Sequence, residues 1–127
     1  MKDGTSLKDY GTEVYKKCHY TCAYCGFDGR SFENWRQLTI DHIRPIKQGG
    51  LDTEDNKIVA CQSCNSITSR MEFFPNDSVE TILEKKRARV KEVLKKDFKF
   101  WRTEVAPSLI SRPLPDVRVW KNTIDET

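Results

Sequence analysis

Residues 57–65 read KIVACQSCN. Ile58 and Val59 make a short apolar run of strand type, Cys61 and Cys64 form a C-x-x-C pair, and residues 62–71 read as a helix. The stretch predicts strand, knuckle and helix with no linker between them. A second pair lies upstream in CAYCG, residues 22–26, with residues 26–60 between Cys25 and Cys61. A C-x-x-C turn places two thiolates on one side, and two such turns make a four-sulfur site of the kind zinc prefers. The site would be closed, so zinc there stabilises the fold and performs no chemistry. Buried free thiols or a redox pair are the other reading of a single C-x-x-C.

The sequence has 127 residues, of which 37% are hydrophobic and 32% charged. That implies a small core in need of a staple. The start, MKDGTSLKDYG, is polar, and no run is apolar enough for a membrane helix or signal peptide. The expectation is therefore a cytoplasmic protein (of a bacterial, archaeal or phage-infected host cytosol) with reduced cysteines and no membrane partner. The cysteine count, five, is odd, which also disfavours a disulfide framework. Cys18 is the extra one. It could compete with Cys22 in a C-x3-C, and His19 could also ligate, but a small cysteine at the end of a helix is expected to point at the core.

Between the knuckles lies TIDHIRPIKQGG, residues 39–50. Trp35, Leu38 and Ile40 suggest a short strand entering Asp41-His42, which Pro45 ends. His42 is open to three readings: a satisfied core histidine, a zinc ligand, or a group that does chemistry. Gly49-Gly50 reads most simply as a flexible turn, and KQGGLDTEDN as a loop.

The ordered set Cys22-x-x-Cys25, Ile40-Asp41-His42-Ile43-x-Pro45, Gly49-Gly50, Asp55-Asn56 and Cys61-x-x-Cys64-Asn65 resembles the HNH endonucleases of the ββα-metal fold. The resemblance covers about residues 7–71, and it implies roles position by position. His42 would be the general base that takes a proton from the attacking water, an imidazole suiting that task because its ordinary pKa lies near neutral. Asp41 and Asn65 would hold a catalytic divalent ion, Mg2+ or Mn2+, and Asn56 would tie the loop across the strands and help orient His42. Successive side chains of a strand point opposite ways. An irregular strand end is therefore expected, so that Asp41 and His42 serve one site. Many members carry a lysine three residues after the asparagine; here that position is Thr68, and Arg70 would take over the phosphate contact. The partner implied is DNA, cut to a 5′-phosphate and a 3′-hydroxyl. A single site cuts one strand per event, so double-strand cleavage would need a homodimer or two encounters.

Leu7, Tyr10 and Val14 have helical spacing over 6–17, weakened by Gly11. Pro75 breaks the chain, and Asp77 with Glu80 resembles a capping box opening a helix over 78–101. Ile82, Leu83, Val90, Val93, Leu94 and Trp101 give that helix an apolar stripe. From Val79 to Arg102 there are nine Lys/Arg and four Asp/Glu, a local +5 against an overall +3. The basic face is free for a DNA backbone. Arg44, Lys47, Arg70, Lys86 and Arg89 are the candidate phosphate contacts. After Ala106-Pro107 an extended tail with Pro113 and Pro115 is expected, with Trp101 and Trp120 as core or tail anchors.

The fold class is thus α+β, a small zinc-stapled ββα-metal core with a flanking N-terminal helix and a long basic C-terminal helix. The divisions are a nuclease core over 1–75, the basic helix over 76–105 and the tail over 106–127. Two rivals are a catalytically silent zinc-containing DNA-binding module and a zinc-ribbon protein-interaction module.

Overall fold

Two strands, β1 (Leu38–His42) and β2 (Lys57–Cys61), pair antiparallel with Leu38 opposite Cys61, Ile40 opposite Val59 and His42 opposite Lys57. This is a computed structural model, and it describes residues 11–109. The chain divides between Asp97 and Phe98 into two units.

In the first unit both faces of the hairpin are covered. Leu38 and Val59 pack with Val14 of helix α1 (Thr12–Lys17), joined by Ile40, Tyr15 and Trp35. On the other side Ala60 packs with Cys22, Tyr24, Cys61, Cys64 and Val90, flanked by Ile58 and Leu83. The predicted stripe therefore meets the cysteine cluster through helix α4 (Val79–Phe100), where Ile82 and Val90 are almost fully buried. Leu94 stays 39% exposed, so the apolar packing fades along the helix.

Helix α3 (Gln62–Thr68) starts where β2 ends, as expected, but stops at Thr68 rather than residue 71. Its cap explains the seamless join. Cys61 is the N-cap, and its Sγ accepts from the Cys64 main-chain N–H at 3.4 Å, a bond usually made by Ser, Thr or Asp oxygen.

Several expectations change. Trp35 belongs to a short helix, α2 (Phe32–Trp35), not to the strand; Ser31 caps it by accepting from Asn34 N–H. The cap of α4 is Ser78, whose Oγ accepts from Thr81 N–H. Asp77 instead accepts from Phe74 N–H and Lys85, so no Asp77–Glu80 box forms. Gly49-Gly50 is not a slack turn. Gly49 has φ 89°, a left-handed value that glycine adopts without strain, and a Cβ on Gly50 would overlap the Arg44 carbonyl oxygen. Leu7, Tyr10, Pro113, Pro115 and Trp120 lie outside the described residues.

In the second unit, Trp101–Val105 is a π-helical turn and Ala106–Ser108 a 3-10 turn. The tail expected to be extended from Ala106 therefore begins helical. Phe98 and Trp101 stack at 6.0 Å, with the Arg102 guanidinium over Phe98.

Candidate functional site

The two knuckles converge. The Sγ atoms of Cys22, Cys25, Cys61 and Cys64 all lie within 4.8 Å of one another, and Cys25 and Cys61 are 3.8 Å apart. Zinc–sulfur bonds of about 2.3 Å in a tetrahedron require sulfur separations of about 3.8 Å, so the site fits zinc. Tyr24 N–H donates to Cys22 Sγ as Cys64 N–H does to Cys61 Sγ. Burial pushes the Cys25 thiol up to about 11 and raises Cys64 further, with the Cys22 charge adding to it. At Cys22 burial is outweighed by main-chain N–H groups of Cys61, Cys25 and Tyr24, and its thiol is lowered. Cys18 takes no part. It is the C-cap of α1, packs beside Leu38 and Val59, and accepts from Val59 N–H. Among the described residues this is the one cluster of three or more Cys, His, Asp or Glu ligands, and His19 is not in it.

β1 stays regularly paired through His42, so the irregular strand end expected from the sequence is absent. Asp41 and His42 follow the ordinary alternation and face different surroundings. Asp41 points to the zinc side, where its Oδ2 accepts from Tyr24 Oη at 2.5 Å and from Lys86 Nζ at 3.0 Å. Tyr24 sits between the two ligands of the first knuckle. Its burial, with the Asp41 charge beside it, raises the phenol far above its ordinary value, so it remains a donor. Lys86 also donates to the His42 carbonyl at 3.1 Å, and its side chain is only 2% exposed.

His42 points to the α1 side, into a cleft of about 440 Å³ shared with Ile40, Val14, Glu13, Asp52 and Lys57. Its side chain is 31% exposed, and Nε2 lies 2.8 Å from Asp52 Oδ1. Lys57 holds the same oxygen at 2.9 Å. The bond from His42, then that from Lys57, lowers the Asp52 carboxyl below its usual range. An ionised carboxylate only accepts, so the Nε2 N–H donates to it, an arrangement that in the neutral imidazole leaves the lone pair on Nδ1.

Asn56 is buried and acts as a clasp. Its Oδ1 accepts from Arg44 N–H, and its Nδ2 donates to the carbonyls of Arg44 and Leu51. Its own carbonyl accepts from Ile43 N–H. Its side chain bonds to Arg44 and Leu51 rather than to His42. Asn65, half-buried in the first turn of α3, directly follows the ligand Cys64. Asp41 and Asn65 each carry an oxygen donor of the type a hard divalent ion takes, so they fit such an ion in kind. Tyr24 and Lys86 both meet the Asp41 carboxylate on Oδ2.

One of the five candidate phosphate contacts is corrected. Lys86 is buried on Asp41 and cannot reach a DNA backbone. Arg44 donates its guanidinium N–H groups to the carbonyls of Gln48, Phe74, Pro75 and Asp77, which staples the segment before α4 to the hairpin. Lys47, Arg70 and Arg89 are exposed, Arg89 in an i,i+3 pair with Glu92. Thr68 is buried and bonds back to the Cys64 carbonyl, so the phosphate grip seen in many such sequences is not available there. Sequence reading missed Asp52, which nothing in its loop distinguishes. It also missed the burial of Lys86, although Ile82, Lys86 and Val90 are spaced i, i+4, i+8 on one face.

No helix among the described residues is long and apolar enough to cross a membrane. No curated protein and no solved structure matches the chain. A family model does match: residues 22–70 fit the HNH endonucleases, a span that takes in both knuckles, the hairpin and α3. Over that span the chain is similar to the HNH endonucleases.

Proposed function

We propose that this chain is a DNA endonuclease in which His42 is the general base. The observation that carries the reading is the geometry of His42: an accessible imidazole in a cleft, its Nε2 held on the Asp52 carboxylate. A general base needs a free lone pair and a fixed ring. Asp52 fixes the tautomer, and Lys57 fixes Asp52. Nδ1 is then the nitrogen that takes the proton from water as it attacks phosphorus and the bond to the 3′-oxygen breaks. Asp52 stabilises the imidazolium that results.

Asp41 and Asn65 would hold the divalent ion, which when bound supplies Lewis-acid stabilisation of the charge on the phosphate and the leaving oxygen. Tyr24 orients Asp41, and because Tyr24 lies inside the first knuckle, the zinc site positions that carboxylate. Lys47, Arg70 and Arg89 would meet the DNA backbone. The ion pair between Lys86 and Asp41 is the one observation that favours the second reading, a DNA-binding module without cleavage.

The test is zinc-loaded protein with supercoiled plasmid and Mg2+ or Mn2+, beside His42→Ala. Cleavage by the wild type should fall by about 10²-fold or more in the variant, the usual contribution of a general base. Cleavage at the wild-type rate in His42→Ala refutes the assignment. Plasmid binding without nicking under all conditions favours the silent module.

A further inference from the structure

A buried lysine is expensive unless its charge is answered. Lys86, 1% exposed as a whole residue, is answered by one carboxylate, Asp41, and by the His42 carbonyl. Its ammonium also lies 5.8 Å from the ring centres of Tyr24 and Phe73. Helix α4 therefore delivers a fixed positive charge to the carboxylate that the proposed mechanism assigns to a metal ion.

Charge counting shows what this does. Hard cations are held by the charge of their ligands, and affinity falls as that count drops. Asn65 is neutral. Asp41 contributes one negative charge, and Lys86 cancels it. We propose that Lys86 is the resident cation of Asp41 and competes with the divalent ion for it, so that this chain holds its catalytic metal weakly. The inference rests on the reading of Asp41 as a metal ligand. It makes a residue outside the matched span, on the helix that follows the nuclease motif, the determinant of metal affinity. Coupling runs in both directions: an ion on Asp41 weakens the tie between α4 and the hairpin.

A plain structural role makes a different prediction. If Lys86 only pins α4 to β1, its removal lowers stability and leaves metal affinity alone. The experiment titrates the full-length, zinc-loaded protein with Mn2+, reading free Mn2+ by electron paramagnetic resonance. Lys86→Met keeps an unbranched side chain of nearly the same length and removes the charge. Lys86→Gln also keeps a hydrogen-bond donor, which guards against loss of fold; zinc content and circular dichroism check both. A charge within 4–6 Å moves proton binding at such a group by about one to three log units. Both variants should therefore bind Mn2+ at least about ten-fold tighter, a shift of ~1.4 kcal/mol. Equal or weaker binding in both variants overturns the proposal. Adding Asp41→Asn to Lys86→Met should abolish the gain. If the gain survives, the ion is not on Asp41, and the metal-ligand reading fails along with the inference built on it.

Discussion

Replacing Asn56 with alanine should be the most damaging single change in the hairpin loop, and its size can be worked from the bonds it makes. The side chain makes three hydrogen bonds: Arg44 N–H to Oδ1 at 2.9 Å, and Nδ2 to the Arg44 and Leu51 carbonyls at 3.1 and 2.7 Å. The residue is 6% exposed, so water does not replace all three. A hydrogen bond contributes about 1 kcal/mol net, and a buried group left unpaired costs about 1–3 kcal/mol. Leu51 is 67% exposed, which lets its carbonyl reach solvent and keeps that bond at the low end. The sum is a loss of ~3 kcal/mol. Asn56→Asp sharpens the test. It keeps the acceptor for Arg44 N–H but turns the amide donor into an acceptor facing two carbonyls, so it should be no milder than alanine. The assay is urea unfolding at fixed free zinc, since zinc binding is linked to folding. With a slope of about 1–3 kcal/mol/M, the midpoint should fall by about 1–3 M. A loss under ~1 kcal/mol for alanine, or wild-type stability for aspartate, would show that Asn56 is not the clasp.

Further outcomes are expected for the zinc site and for the basic residues. Metal analysis should find one zinc per chain, set by the four-sulfur cluster. A strong chelator should unfold the protein, because structural zinc contributes about 10–16 kcal/mol against a typical net stability of about 5–15 kcal/mol; a chelated protein with an unchanged melting temperature refutes the assignment. In DNA binding followed by anisotropy over a salt series, Lys47→Ala, Arg70→Ala or Arg89→Ala should reduce the slope of log K against log salt by about 0.9 for each phosphate that is no longer neutralised. Arg44→Ala should lower stability, because its Nη1 and Nη2 groups bond main-chain carbonyls; an unchanged salt slope in Arg44→Ala would rule it out as a phosphate-binding residue.

How much of this could be read from the chain follows from the range of each interaction. The zinc ligands were legible because C-x-x-C geometry is local and two copies leave little freedom. The hairpin and α3 followed from KIVACQSCN for the same reason, as did α4 from its stripe. Short-range competition was less legible. Ser78 outcompetes Asp77 for the α4 cap because Asp77 is already engaged by Phe74 N–H and Lys85. Trp35 looks strand-like by type, yet the Ser31 cap puts it in a helix. Long-range partners were not legible at all. Lys86 and Asp41 are separated by 45 residues, and no local pattern says that a lysine on a basic helix will turn inward to meet a carboxylate. Asp52 is hidden for a simpler reason: in an acidic loop, only the folded position of Lys57 and His42 selects it.

The cap on α3 has a consequence for how the chain reaches this structure. Cys61 is at once the last residue of β2, the cap of α3 and a ligand of the cluster. A two-stranded hairpin is weakly specified by itself, and a slip of one residue in its pairing turns every side chain to the opposite face. A slip that turned β1 over would exchange the surroundings of Asp41 and His42. A slip that turned β2 over instead would carry Cys61 out of reach of Cys22 and Cys25, and no tetrahedron would close. Zinc binding would thus select a strand alignment, because the four-sulfur cluster closes only with Cys61 at the end of β2 beside Cys22, Cys25 and Cys64.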